Sequence, residues 1–257
     1  MNLNEKNILV TGGGGFGVGE GVCKALLSCG ARLIVNEKDP EKTARVSEKF
    51  PGVLTIAADI AKTSEVASMF ERIEKEVGVL HGLVNNAGIG LSKPAHEITE
   101  QEFDQLYQID IRSVWLISKF FIQQLLKNDI TGNIVNISSV HAHSTIPGHA
   151  IYASAKSAVE GLTRGMAVDL GQYNIRVNAV APGYVHAEQN YDLLRSVTDN
   201  PEQWVENIIL KEQVIHTEIQ PEDCGYTVGF LLSDLSRAIT GQTLYVDNGS
   251  TIQLFAS

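Results

Sequence analysis

Short apolar runs alternate along this chain with longer stretches in which apolar positions recur at helical spacing. The runs Ile8–Val10, Leu33–Val35, Leu54–Ala57, Leu83–Asn85, Ile134–Ile137, Val177–Val180 and Leu244–Val246 predict seven β-strands. Strands separated by helices must be joined by crossovers, so the pattern predicts an α/β fold: a parallel sheet covered on both faces. Helix starts are marked at Asp39-Pro40-Glu41, where a capping residue precedes a first-turn proline, and at Thr99–Glu102, which fits a capping box. No internal repeat, low-complexity tract or linker interrupts the alternation. The interval from Gly183 to Gln220 differs: it holds aromatic and charged residues, Pro201 and Trp204, and no clear strand. It reads as a partly helical lid, residues 184–219, over a site.

Length agrees with one domain spanning residues 1–257, since a chain of 257 residues with 44% hydrophobic content can fill a core of single-domain α/β size. A formal net charge of −10 and an isoelectric point near 5.2 argue against nucleic acid and anionic membrane as partners, both of which need basic surface. The first seven residues lack the basic segment and long apolar stretch of a signal peptide or membrane helix, so a cytoplasmic location is expected. Cys23, Cys29 and Cys224 are odd in number and fit neither a zinc site nor a disulfide framework, so three reduced thiols are expected.

Candidate chemistry is concentrated between Ser139 and Lys156. Tyr152 and Lys156 are four residues apart, which on a helix gives them one face, and an ammonium there favours the phenolate over the phenol. A tyrosine so tuned exchanges a proton with an alcohol or carbonyl oxygen. Ser139, thirteen residues earlier and just past a strand, can hold the same oxygen. Taken alone, a Tyr-x-x-x-Lys spacing occurs by chance in many helices. A second feature strengthens it: the first strand runs into Thr11–Gly19, Thr-Gly-Gly-Gly-Gly-Phe-Gly-Val-Gly, and then into the helical stretch Glu20–Ser28. Glycines permit a tight turn and close approach to a pyrophosphate, and a helix N-terminus favours its charge. Glu37, ending the second strand about twenty residues on, can accept bonds from ribose hydroxyls and would repel a 2′-phosphate, which favours NAD. Lys38 beside it leaves NADP open.

These motifs occur in one order together with Ala58-Asp59, Asn85-Asn86-Ala87-Gly88, Asn136-Ile137-Ser138-Ser139, Pro182-Gly183 and the terminal Thr240–Asp247. In that combination, over nearly its whole length, the chain resembles the classical short-chain dehydrogenase/reductases. The resemblance implies a single-domain, Rossmann-type, doubly wound parallel sheet and a homotetramer built partly on the helices around Gln101–Lys127 and Tyr152–Gly171. It implies catalysis by Ser139, Tyr152 and Lys156. Cofactor contacts would come from Gly12, Phe16, Gly17, Val18 and Gly19 in the loop. Asp59 would bond the adenine amino group, Ile60 would pack beside the ring, and Asn86, Ala87 and Gly88 would line the adenosine side. Tyr152 and Lys156 would also hold the nicotinamide ribose, and Val185, after Pro182 and Gly183, would meet the carboxamide through its backbone.

The chain departs from the family pattern at three places. Four residues, not three, separate Gly12 from Gly17, and His186-Ala187 replaces a threonine usually found after Pro-Gly. Asp110 stands where the family has a relay asparagine. A carboxylate there would oppose the help Lys156 gives Tyr152, unless it pairs with Lys156 or another cation, or relays a proton through its backbone carbonyl with its side chain elsewhere. Activity with an alkaline optimum for alcohol oxidation is expected. His141, His143, His149, His186 and His216 fall in segments that the resemblance places around the substrate, with only His81 and His96 elsewhere. Of these, His141, His143, His149 and His186 are candidate substrate contacts that suggest a polar pocket. No two histidines have helical i, i+4 spacing, and no metal is expected.

The expected function is NAD-dependent interconversion of a secondary alcohol and a ketone by hydride transfer on a small polar substrate: a polyol, sugar or hydroxy acid. Two alternatives remain at this point. One is reduction of a 3-oxoacyl thioester on an acidic carrier protein, for which this acidic chain shows no basic cluster. The other is a non-catalytic NAD-binding sensor or scaffold, which the altered loop and Asp110 favour and the intact Ser139, Tyr152 and Lys156 oppose.

Overall fold

The computed structural model of the protein describes residues 1–15, 17–195 and 198–253. Seven strands, β1 (Asn7–Thr11), β2 (Arg32–Glu37), β3 (Leu54–Ala57), β4 (Gly82–Asn85), β5 (Asn133–Ile137), β6 (Arg176–Pro182) and β7 (Thr243–Val246), form one sheet in the order 3-2-1-4-5-6-7. Every pairing is parallel. Strand order reverses between β1 and β4, which opens a crevice at the carboxyl edge where a ligand can enter.

Side-chain alternation along each strand feeds two cores. Leu9, Ile34, Leu83, Ile134 and Val177 face α3 (Thr63–Glu76), α5 (Ser113–Lys127) and α6 (Ala150–Leu170), whose Phe70, Phe121 and Met166 complete that layer. Ile8, Val10, Val35, Val84 and Val135 point the other way, onto Val22 and Leu26 of α1 (Val18–Ser28), Val46 of α2 (Pro40–Lys49) and Val228 of α9 (Pro221–Leu232). Both expected caps form. Asp39 accepts the Glu41 N–H, and Thr99 and Glu102 close a full capping box at the start of α4 (Glu100–Tyr107).

The helices expected around Gln101–Lys127 are α4 and α5. A π turn at Gln108–Arg112 separates α4 from α5. Between β6 and α9 the chain makes α7 (Glu188–Arg195), α8 (Pro201–Trp204) and short helical turns. Both ends of this lid are pinned together: Val185 bridges Ile219, and the His186 N–H donates to the Ile219 carbonyl at 2.8 Å.

Candidate active site

The glycine loop joins β1 to α1 at the crevice. Gly12 has φ +68, and a side chain there would meet Ala87 Cα at 2.8 Å. A Cβ on Gly19 would lie 2.2 Å from the Gly12 carbonyl oxygen. The loop is tied to the end of β4 by Asn86, whose Nδ2 donates to the carbonyls of Thr11 (3.0 Å) and Gly12 (2.7 Å). Thr11 Oγ1 accepts the Asn86 and Ala87 N–H groups, each at 3.1 Å. No side chain caps α1 at Gly17, so the first-turn N–H groups are left for an anion. Space beyond Gly15 is open to 4 Å, and Gly17 faces Ala187. This cradle fits a dinucleotide pyrophosphate. Phe16 lies outside the described residues.

The added loop residue has a definite fate. The Gly14 N–H donates to the Glu37 carboxylate, and a Cβ on Gly14 would strike both Val46 and Glu37, so the loop folds back over the end of β2. Burial raises Glu37 above the usual carboxylate range, against the Gly14 hydrogen bond. Lys38 pairs with Asp59 at 2.9 Å. Asp59 Oδ1 also accepts the Ala61 N–H; although burial pushes Asp59 up, Lys38 and this bond hold it below the usual range. Ile60 is buried beside it.

β5 delivers Ser139, which is buried and caps the 3-10 turn Val140–Ala142, its Oγ accepting the His141 N–H at 3.3 Å. α6 then places Tyr152 and Lys156 one turn apart, with the Lys156 ammonium 5.5 Å from the Tyr152 ring centroid. Lys156 is buried, donates to the Ile137 carbonyl at 3.4 Å and pairs with Asp110 Oδ2 at 2.9 Å. Of the arrangements expected for Asp110, the pair with Lys156 is the one present. Asp110 Oδ1 also accepts the Ile89 N–H at 2.9 Å. Gly88 leaves the room: a Cβ there would lie 2.9 Å from Asp110 Oδ2 and 3.2 Å from Lys156 Nζ. Burial works against the Lys156 charge, but Tyr152 and Asp110 outweigh it and hold the ammonium above the usual lysine range.

Two of the four candidate histidines meet Tyr152. The rings of His141 and His149 stack at 4.6 Å and stand edge-on to Tyr152 at 5.6 and 6.3 Å. His149 Nδ1 lies 3.2 Å from the Pro147 carbonyl, which can only accept, so this nitrogen carries the hydrogen. His141 Nδ1 shares a 2.9 Å bond with Thr145 Oγ1. Burial first, and neighbouring His149 second, lower His141 to about 4, so it is neutral near pH 7. The other two have no ring contact with Tyr152 among those described. His143 leaves the 3-10 turn in another direction and packs edge-on to Tyr245 of β7 at 5.9 Å. His186 binds Glu218 at the base of the lid. His216 is exposed in the lid.

Sequence reasoning missed several residues. Asn85 Nδ2 donates to Asn136 Oδ1 at 2.8 Å, and Asn136 Nδ2 to Thr163 Oγ1 at 2.9 Å, a buried ladder that fixes α6 against β5. Asparagines inside otherwise apolar strands were the available signal. At the lid base, Tyr191 donates to Glu218 at 3.4 Å, and Asn190 Nδ2 donates to the Val185 carbonyl at 2.9 Å. Tyr184 keeps a buried hydroxyl with no partner among the described residues, and burial pushes it up to about 12. Nothing in the sequence marked this group.

Chemically, the arrangement offers a phenol at Tyr152, a hydroxyl at Ser139, a buried cation at Lys156 and a stacked imidazole pair. All four stand at the carboxyl edge of the sheet, next to the glycine cradle.

A family model described as Enoyl-(Acyl carrier protein) reductase matches residues 14–251. The chain is 33% identical over 249 residues to Carbonyl reductase (NADPH) 2 of Sus scrofa, covering 97% of this chain and 98% of that protein. It is 31% identical over 249 residues to L-xylulose reductase of Bos taurus, with the same coverage of 97% and 98%. Among solved structures, a gluconate 5-dehydrogenase from Burkholderia cenocepacia J2315, in complex with NADP and tartrate, superposes with a TM-score of 0.88 at 30% identity, covering 98% of each chain.

Proposed function

The chain belongs to the short-chain dehydrogenase/reductase family, and on that premise we propose that it uses NAD to interconvert a small polyhydroxylated alcohol or hydroxy acid and the matching ketone. Membership makes it an oxidoreductase acting on CH–OH groups. The observation that carries the finer reading is the stacked His141–His149 pair standing edge-on to Tyr152, with His141 neutral near pH 7. Imidazole nitrogens beside the proton donor suit a substrate with hydroxyls next to its reacting carbon. L-xylulose reductase and the gluconate 5-dehydrogenase in complex with tartrate are relatives named for polyhydroxylated compounds of that character.

The bound nicotinamide supplies or accepts the hydride at the carbinol carbon. Ser139 holds the substrate oxygen by hydrogen bond. Tyr152 gives that oxygen a proton in reduction and takes it in oxidation. Lys156 and Tyr152 would also hold the nicotinamide ribose, while Gly12, Gly17, Val18 and Gly19 would receive the pyrophosphate. Asn86, Ala87 and Gly88 would flank the adenosine side, and Pro182, Gly183 and Val185 would present backbone to the carboxamide.

NAD is favoured because the buried Glu37 carboxylate ends β2 and its neighbouring cation Lys38 is engaged by Asp59. NADP has the names of two relatives in its favour. The same proposal includes a homotetramer, supported by exposed Trp115 and Leu126 on α5 and Val168 on α6. It also includes a cytoplasmic location, supported by three free cysteines. Among the described residues no helix is long and apolar enough to cross a membrane. Fluorescence titration of the purified protein with NADH and NADPH, followed by assays on polyols, sugars, hydroxy acids and steroids at two pH values, tests the reading. Tighter NADH binding with turnover of a polyol, sugar or hydroxy acid supports it. Turnover confined to steroids, or binding without turnover, overturns it.

A further inference from the structure

Asp110 is almost wholly buried: Oδ1 accepts the Ile89 N–H at 2.9 Å, and Oδ2, which has no hydrogen-bond partner among the described residues, forms an ion pair with the Lys156 ammonium at 2.9 Å. A buried carboxylate needs such a partner, because an uncompensated charge away from water is very costly. The partner here is the cation of the catalytic helix. The Lys156 ammonium donates to the Ile137 carbonyl at 3.4 Å and is paired electrostatically with Asp110 Oδ2 at 2.9 Å, and these two contacts hold it 5.5 Å from the Tyr152 ring. The π turn at Gln108–Arg112 sets Asp110 in this place, and Gly88 provides the space.

Charge follows from the same geometry. An isolated ammonium near Tyr152 favours phenolate. An ammonium whose charge is cancelled by a carboxylate in contact with it does so far less. The titratable groups in contact around Tyr152 among the described residues are Lys156 on its own helix, Asp110 behind Lys156, and the imidazoles of His141 and His149. His141 is neutral near pH 7.

We infer that Asp110 is a positioning residue that fixes Lys156 and cancels its field at Tyr152, keeping Tyr152 a proton donor through the neutral range and biasing the enzyme toward carbonyl reduction. The inference rests on the reading of Tyr152 given above. In reduction the carbonyl carbon gains a hydride from the reduced nicotinamide and the oxygen gains the Tyr152 proton. The phenolate left behind is reprotonated by solvent. Oxidation runs the same steps backwards and needs the phenolate first, so it becomes efficient only at alkaline pH.

The test replaces Asp110 by Asn, which removes the charge and keeps an acceptor for the Ile89 N–H. The acid limb of kcat/KM for alcohol oxidation is expected to move to lower pH by about one to two units, the size set by one unit charge a few ångströms away at an effective dielectric near 20. The alkaline limb of ketone reduction is expected to move the same way, with NADH affinity changing less than about threefold. The phenolate absorbance difference between each protein and its Tyr152→Phe counterpart should shift in parallel, a readout that needs no substrate. Unmoved limbs and an unmoved absorbance difference in a folded, NADH-binding Asp110→Asn protein overturn the inference. A shifted absorbance difference in a protein that turns over nothing upholds the charge effect of Asp110 on Tyr152 while overturning both the bias toward reduction and the functional reading. If Asp110→Asn does not fold, the unmutated protein still decides: an oxidation limb below about pH 7 overturns the inference, and one well above upholds it.

Discussion

Tyr152 can do its work only with its hydroxyl, whereas its ring packs edge-on to His141 and His149 whether or not the hydroxyl is present. Tyr152→Phe therefore isolates the proton. We expect a loss of kcat of about 10² to 10⁴, the usual span for a general acid–base, with NADH affinity within a few-fold of the parent; stopped-flow turnover and fluorescence titration measure the two. Glu37 is a different case, because one carboxylate both accepts the Gly14 N–H and stands where the adenosine ribose would lie. Glu37→Gln keeps an acceptor and removes the charge, so the ratio of NADPH to NADH affinity is expected to rise about tenfold, roughly 1.4 kcal/mol. An unchanged ratio would dissociate Glu37 from cofactor choice. Residues whose chemistry demands a type at a fixed spacing, Ser139, Tyr152 and Lys156, were legible in the sequence, as was the anomaly of Asp110. The Gly14–Glu37 contact was not, since an inserted residue can bulge in several directions and only the packing of Val46 and Cys23 around the loop selects one.

At the scale of elements, α1 and α9 cross at two glycines. A Cβ on Gly21 would lie 2.0 Å from the Pro221 carbonyl carbon, and one on Gly225 would lie 2.3 Å from the Gly21 oxygen. Overpacking of this kind costs about 1–3 kcal/mol or more. Gly21→Ala should therefore lower the melting temperature by several degrees, and because α1 carries the glycine loop it should also weaken NADH binding. Retention of both properties would mean that the helices can part freely. Strands and helix starts were legible because alternation and capping are local. The π turn between α4 and α5, which sets Asp110 in reach of Lys156, was not, because the propensity of Gln108–Arg112 does not mark it. The lid was legible only as a region; its pinning by His186, Glu218 and Ile219 joins residues about thirty positions apart in the chain.

For the whole molecule, two of the routes by which pH reaches stability are partly buried imidazoles. Burial lowers His141 to about 4 and also lowers His81, whose Nδ1 accepts the Asn7 N–H at 3.1 Å. Below the ordinary histidine value of 6.5 the unfolded chain binds a proton that the folded His141 refuses until about pH 4. Stability is thus full above about 6.5 and falls as pH drops through that window. Thermal melts from pH 7 to 4.5 should show the decline, and His141→Gln should flatten part of it; an identical slope in the variant would place the proton uptake elsewhere.

The measurement that tests the account most directly follows reduced-nicotinamide absorbance while the purified protein meets polyhydroxylated ketones, with Tyr152→Phe run beside it. The account requires NADH oxidation by the parent on at least one such ketone and its near-abolition in a variant that still binds NADH. Equal rates in the two proteins, or tight NADH binding by the parent with no ketone consumed, would contradict it.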